Sequence, residues 1–270
     1  RPMSPDFGER QVSRDSGQGP ATRTISRAMA ILYAFDETRP ELGVTDLSQL
    51  TGLDKSTVYR LLSALQQGGL VNQDPETSKY RLGGGLVRLG GLALRDTDLA
   101  RVARAHLQDL ADRTQETINL SVLTENDSLV NIDVITSPRR VRNVGWIGRE
   151  MPLHAVSGGK VFMAYLPPER LERILAGGLP AYTEHTVTER ASLRKELEEI
   201  RRSGYGIAEE ELEEGLSAVS APVWNHEEQV VAIVSVSGPS SRLPRKRLLE
   251  LGDMTKETSA KISQQIGYAS

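Results

Sequence analysis

The chain contains no cysteine. That absence removes a disulfide scaffold, a thiolate zinc site and a cysteine nucleophile together. Nor does any apolar run approach the ~20 residues that a membrane-spanning helix needs. Residues 1–22 lack the apolar stretch of a secretory signal, so the expected compartment is the cytoplasm. The run Ser157-Gly158-Gly159-Lys160 is followed by Val161 and does not complete a phosphate-binding G-x-x-x-x-G-K-[ST] loop, so nucleotide binding there is rejected. His106, His154, His185 and His226 include no pair at i, i+4 and are expected to be structural or solvent-facing. The acidic run Glu209-Glu210-Glu211 with Glu213-Glu214 is expected to be a solvated face. Neither a metal nor a cofactor is expected. No nucleophile, base and orienting group recur as a set, which speaks against an enzyme.

What is present is 270 residues, 38% hydrophobic and 26% charged, the composition of a folded chain long enough for two domains with separate cores. Residues 1–22 hold three Gly, three Pro and three Ser among scattered apolar residues, and are expected to form a disordered tail. A first helix is predicted from Arg23, where Ile25, Ala28, Met29, Leu32 and Phe35 recur at helical spacing up to Arg39-Pro40. Thr45 can cap a second, running through Leu47 and Leu50 to Gly52. Asp54 caps a third, whose Val58, Leu61, Leu62 and Leu65 follow the i, i+3, i+4, i+7 rule up to Gly68-Gly69. Two short strands, Leu70 to Gln73 and Lys79 to Leu82, then flank the turn Asp74-Pro75-Glu76-Thr77-Ser78. Residues 85–97 read as a linker helix. Beyond Thr117, alternating strands mix with helices beginning near Ser157, Pro168, Glu189 and Pro244, an α+β domain over 98–270 with mostly antiparallel strands.

The net charge of −3 hides an asymmetry. Residues 55–95 carry Lys55, Arg60, Lys79, Arg81, Arg88 and Arg95 against only Asp74 and Glu76, a local charge of +4. Residues 96–270 carry −5. The positive charge therefore falls on the third helix and the hairpin behind it, where phosphate contacts would be made. Opposite the apolar stripe, the third helix presents Ser56, Tyr59, Arg60 and Ser63. Lys55, Ser56 and Thr57 occupy its first turn, where free N–H groups favour a phosphate, and Tyr59 and Arg60 lie one turn on, placed to reach base edges. Three helices over 23–84 followed by a two-stranded wing bearing Lys79 and Arg81 make a winged helix-turn-helix. The alternative is a protein-interaction or ligand-sensing module without specific DNA binding. Reading two half-sites on operator DNA calls for a homodimer, with Leu86 to Leu94 sharing the contact.

From Arg23 to Gly83 the chain resembles the N-terminal domain of IclR-type (isocitrate lyase regulator) transcription factors, KSTVYRLLSAL most closely. The second half resembles their effector domain through PLHAVSGGKVFMAYLP (Pro152 to Pro167), RRSGYGIAEEELEEGLSAVSAPV (Arg201 to Val223) and AIVSVSGPSSR (Ala232 to Arg242). The resemblance implies a GAF-like effector domain with a six-stranded sheet, and dimers that often pair into tetramers. It also implies operator binding that changes when a small organic acid, aromatic ones included, occupies the effector domain. GAF-like domains that reduce methionine sulfoxide use cysteines, which this chain lacks.

The resemblance further assigns an effector site. Ser157 and Gly158 start the helix after the LHA motif, where unpaired N–H groups suit a carboxylate. Ser235 and Ser237, two apart on one strand, share a face. Leu216 and Ala218 line a wall, and Met151 lies just before the helix. The family often has an acidic residue where this chain has Ala208 and a cysteine at Ala218. These small replacements imply a larger, more apolar acid than a short keto acid. Trp146 is read mainly as core, with stacking on a ligand as its other role.

Overall fold

The computed structural model describes residues 20–36, 38–95, 99–143, 145, 147–148 and 150–268. The chain divides into two compact units, Arg1–Asp96 and Thr97–Ser270. In the first, helix α1 (Pro20–Tyr33) begins inside the segment expected to be tail. Proline suits a first helical turn, where its missing N–H would have no partner. The rest of that expected tail lies outside the described residues. The helix also stops at Tyr33, short of the predicted Arg39-Pro40 end. The Asp36 carboxylate accepts the backbone N–H groups of Thr38 and Arg39, each at 2.9 Å, and this local turn replaces further helix. The predicted stripe holds in part: Phe35 is buried and Ala28 and Leu32 pack against the core, joined by Ile31, whereas Ile25 and Met29 are 63% and 45% exposed.

Helix α2 (Val44–Thr51) starts one residue before the predicted cap Thr45. Gly43 holds the cap position, and the Asp46 carboxylate accepts its N–H at 2.9 Å. Helix α3 (Lys55–Gln67) buries Val58, Leu61, Leu62 and Leu65, the stripe read from spacing. Strands β1 (Val71–Gln73) and β2 (Tyr80–Leu82) pair antiparallel around a turn in which Asp74 accepts the N–H groups of Glu76 and Thr77. Tyr80 exchanges two backbone hydrogen bonds with Leu42, tying the hairpin to the α1–α2 connection. Helix α4 (Gly84–Arg95) fills most of the predicted linker, whose residues 96 and 97 are outside the described set. A Cβ on Gly83 would lie 2.3 Å from the Gly69 carbonyl oxygen, so only glycine lets this chain segment pass so close to the end of α3.

The second unit opens with α5 (Leu99–Thr114), β3 (Thr117–Leu123), β4 (Leu129–Ile135) and β5 (Glu150–Met151). Helices α6 (Ser157–Tyr165), α7 (Pro168–Ala176) and α8 (Arg190–Ser203) follow. Strands β6 (Gly206–Glu209), β7 (Leu216–Trp224) and β8 (Val230–Pro239) and helix α9 (Arg245–Gln265) complete it. The six strands form one sheet in the order β5-β4-β3-β8-β7-β6, every neighbouring pair antiparallel. Because side chains alternate across a strand, the sheet has two lives. Ile118, Leu120, Val234 and Val236 pack against α5 and α9. The other face meets α6 to α8, with Leu129 and Ile233 packed among Val161, Phe162 and Leu197. That second face carries the site.

Candidate functional site

In the first unit, Asp54 sets the start of α3. Its carboxylate accepts the Thr57 N–H at 2.9 Å, the Ser56 hydroxyl at 2.6 Å and the Thr57 hydroxyl at 2.7 Å. These bonds, the two hydroxyls first, hold the Asp54 carboxyl well below the usual carboxylate range. The anion position expected to be open to a phosphate is thus filled by the chain's own carboxylate, and both hydroxyl hydrogens are committed to it. Lys55, Tyr59 and Arg60 remain exposed, Tyr59 and Arg60 away from the buried stripe and Lys55 in the first turn at its flank. Ser63 is half-buried and donates its hydroxyl to the Tyr59 carbonyl at 3.0 Å. On the wing, Lys79 precedes β2 and Arg81 lies on it, both exposed.

In the second unit, residues from separate segments meet in one cleft that encloses about 720 Å³, counting its open mouth. Ser157, Gly158, Met151, Ala208, Leu216, Ala218, Ser235 and Ser237 all line it. The sheet explains the convergence. Ala208 pairs with Ala218, which pairs with Ser237, so three small side chains stand abreast across β6, β7 and β8. Two residues along, Ser220, Ser235 and Asn119 stand abreast across β7, β8 and β3.

Above this row sits the start of α6. Its first intrahelical backbone bond runs from the Lys160 N–H to the Val156 carbonyl at 3.0 Å, which leaves the N–H groups of Ser157, Gly158 and Gly159 without an acceptor inside the helix. No side chain caps this end. A Cβ on Gly158 would lie 3.0 Å from Leu129 Cδ2 and 3.2 Å from Ile233 Cγ2, so glycine lets the helix start settle onto the sheet. The Ser157 hydroxyl is 2.6 Å from that of Ser220, which is 2.8 Å from that of Ser235. A continuous chain of hydroxyls therefore runs from the helix start into the sheet.

Beneath α6 lies a charge cluster. Lys160 is fully buried, and its ammonium lies 2.5 and 2.6 Å from the two oxygens of Glu211 and 2.6 Å from Glu196. Burial pushes the Glu211 carboxyl up, and the Lys160 charge opposes that rise. Glu211 also lines the cleft, so the solvated-face expectation fails for it, because its burial depends on an ammonium that α6 supplies. Glu209 instead pairs with Arg245 near the surface, and Glu210 accepts the Gly215 N–H. His154 is buried beside Tyr182, with Nε2 at 2.9 Å from the Pro180 carbonyl; that nitrogen donates, since a carbonyl only accepts. Burial lowers the His154 pKa.

Sequence reasoning missed three asparagines of the cleft, Asn119, Asn131 and Asn143. The alternation of Ile118, Leu120 and Val122 marks Asn119 as lying on the other face of β3, but nothing in the local pattern shows that helices roof that face. The expected apolar character holds for Met151, Leu216 and Leu129; the asparagine wall is polar. Trp146 lies outside the described residues. Residues 24–75 match the IclR helix-turn-helix domain, and residues 91–264 match the bacterial transcriptional regulator IclR C-terminal family. The chain belongs to the IclR family.

Among relatives, the HTH-type transcriptional regulator XynR of Escherichia coli (strain K12) is 36% identical over 92% of this chain and 99% of its own length. The HTH-type transcriptional regulator KdgR of the same organism is 38% identical over 93% of this chain and 95% of its own. Among solved structures, an IclR homolog of Microbacterium hydrocarbonoxydans complexed with 4-hydroxybenzoate superposes with a TM-score of 0.79 at 25% identity, over 90% of this chain and 98% of its own. This IclR chain is thus a DNA-binding transcriptional regulator with a C-terminal effector domain, and the first unit is its DNA-binding part. Among the described residues no helix is long and apolar enough to cross a membrane.

Proposed function

We propose that this regulator holds operator DNA through α3 and the wing, and that a small organic acid in the cleft changes that hold. On α3, Tyr59 and Arg60 read base edges while Lys55, Ser56, Thr57 and Ser63 border the phosphates; Ser56 and Thr57 do so only by exchanging Asp54 for a phosphate oxygen. Lys79 and Arg81 add phosphate contacts that carry no sequence information. The acid seats its carboxylate on the N–H groups at the start of α6, beside the Ser157 hydroxyl. Ala208 and Ala218 leave it room. The observation that carries this reading is the convergence of eight residues from separate segments, each assigned by the resemblance to the family, on one cleft with an uncapped helix start.

The working form is a homodimer, or a pair of dimers, since two recognition helices are needed to read two half-sites. Ile25, Met29 and Tyr33 support it: spaced by four along α1 and 63%, 45% and 73% exposed, they make an apolar stripe that a second copy would cover. Val87 and Leu89 on α4 are exposed as well. The protein works without catalysis, in the cytoplasm at the nucleoid, with the domain limits 23–84, 85–97 and 98–270. Selecting the genomic fragments that the purified protein retains, then titrating them with acids, tests the reading. Retained fragments released or tightened by an acid support it, and salt-independent or absent retention overturns it.

A further inference from the structure

The cleft has a second polar end. Among the described residues, Asn119 Oδ1 is the buried side-chain polar atom without a hydrogen-bond partner. Asn119 itself is only 6% exposed. An acceptor shut away from water in this way carries an unrecovered desolvation cost. Its neighbour Ser237 shows the converse. The Ser237 oxygen accepts from Asn119 Nδ2 at 3.1 Å and from Asn143 Nδ2 at 2.9 Å, so its lone pairs are used and its own hydrogen is left to give.

The wall around this pair is held in place. Thr117 donates its hydroxyl to the Asn143 carbonyl at 2.6 Å, and Arg242 donates to the Val141 carbonyl at 2.8 Å while gripping both oxygens of Glu116. Gly145 faces Asn119, and a Cβ there would lie 2.2 Å from the orphaned oxygen. Any other residue would collide with that oxygen, so glycine is what lets the loop pass the amide. A lone acceptor beside an idle donor is complementary to a group that both donates and accepts. A second carboxylate would be repelled by Oδ1, and a methyl would leave both atoms unpaired.

We infer that the effector is a hydroxylated carboxylic acid, with a hydroxyl remote from the carboxylate engaging Asn119 and Ser237. The inference rests on the reading of the cleft as the acid site. Asn143 and Asn131 extend the same wall, with Asn131 Oδ1 accepting the Ser121 hydroxyl at 2.7 Å. Aliphatic polyhydroxy acids and phenolic acids share this chemistry.

Calorimetric titration of the full chain with matched pairs separates them: gluconate against hexanoate, arabinonate against pentanoate, and 4-hydroxybenzoate against benzoate. In at least one pair the hydroxylated acid is expected to bind roughly tenfold tighter or more, as a site with buried polar groups discriminates against an analogue lacking the hydroxyl. The pair that responds names the source. Asn119→Ala and, on the loop outside any strand, Asn143→Ala are expected to bring that acid down to the affinity of its partner without changing the partner's own. Partners that bind equally in every pair, or a preference that survives both substitutions, overturn the inference and leave the acid site standing. If no acid of any pair binds, the acid site itself falls, and this inference with it.

Discussion

The Lys160 ammonium is clasped by both carboxylate oxygens of Glu211, at 2.5 and 2.6 Å, with Lys160 fully buried and Glu211 6% exposed. Lysine sits on the helix at the mouth of the cleft, and glutamate on the turn after β6 that lines it. A pair so placed contributes little net stability when intact, but breaking it strands a charge.

Lys160→Met should therefore cost about 3–5 kcal/mol, because it leaves Glu211 buried opposite Glu196 with no cation between them. Lys160→Met combined with Glu211→Leu should recover most of that loss. Urea unfolding of the three proteins measures it, and a single substitution costing less than about 1 kcal/mol would show that the charge is solvated after all.

Arg60→Ala should weaken operator binding by about 1–3 kcal/mol and leave binding to unrelated duplex nearly unchanged, since its side chain leaves α3 opposite the packed stripe. Lys79→Ala and Arg81→Ala should weaken binding to every sequence and flatten the salt slope by about one unit each. Fluorescence anisotropy over a salt series distinguishes the two patterns. A wing substitution that altered base preference would invert the division of labour between helix and wing.

Ala218→Leu should abolish acid binding while leaving DNA affinity intact. The added side chain would fill the space between Ala208 and Ser237, its neighbours across β6 and β8. Binding of the two ligands is coupled only through the equilibrium between effector-domain states, so loss of one need not weaken the other. Undiminished calorimetric binding of an acid that also shifts operator affinity would move the site elsewhere.

The pH dependence of stability should carry a mark of His154. Burial holds its pKa below the ordinary 6.5, so below that pH the unfolded chain takes up a proton that the folded chain resists. The stability it contributes is complete above pH 6.5 and is lost as pH falls through the lowered folded-state value. His154→Asn keeps a donor towards Pro180 and removes the titration. The melting temperature of the variant should fall less steeply than that of the parent from pH 6.5 downwards, and parallel slopes would rule the group out.

The parts of the fold that were legible are those whose pattern is local. The stripe on α3, the Asp74 turn and the shared face of Ser235 and Ser237 each follow from a helical or two-residue period within one segment. The first helix misled because it has two apolar sides: Ile31 meets the core, and Ile25 and Met29 face outward at a spacing that looks the same in sequence. Strand β5 spans two residues, too few for any period to show. Asn119 and Asn131 alternate with apolar residues as solvent-facing positions do, and only the packing of α6 over the sheet turns them into cleft wall. The Lys160–Glu211 pair joins residues 51 apart in sequence, beyond the reach of any local pattern.

The hydroxyls of Ser157, Ser220 and Ser235 differ in kind from the amide wall across the cleft. In a file of three hydroxyls each oxygen both gives and receives, so the file can be polarised in either direction without moving a heavy atom. An anion at the Ser157 end draws every hydrogen towards α6, whereas a donor at that end turns all three the other way. Amides cannot reverse in this manner without rotating the whole side chain. The amide end of the cleft is thus fixed in the polarity it presents, and the serine end is reversible.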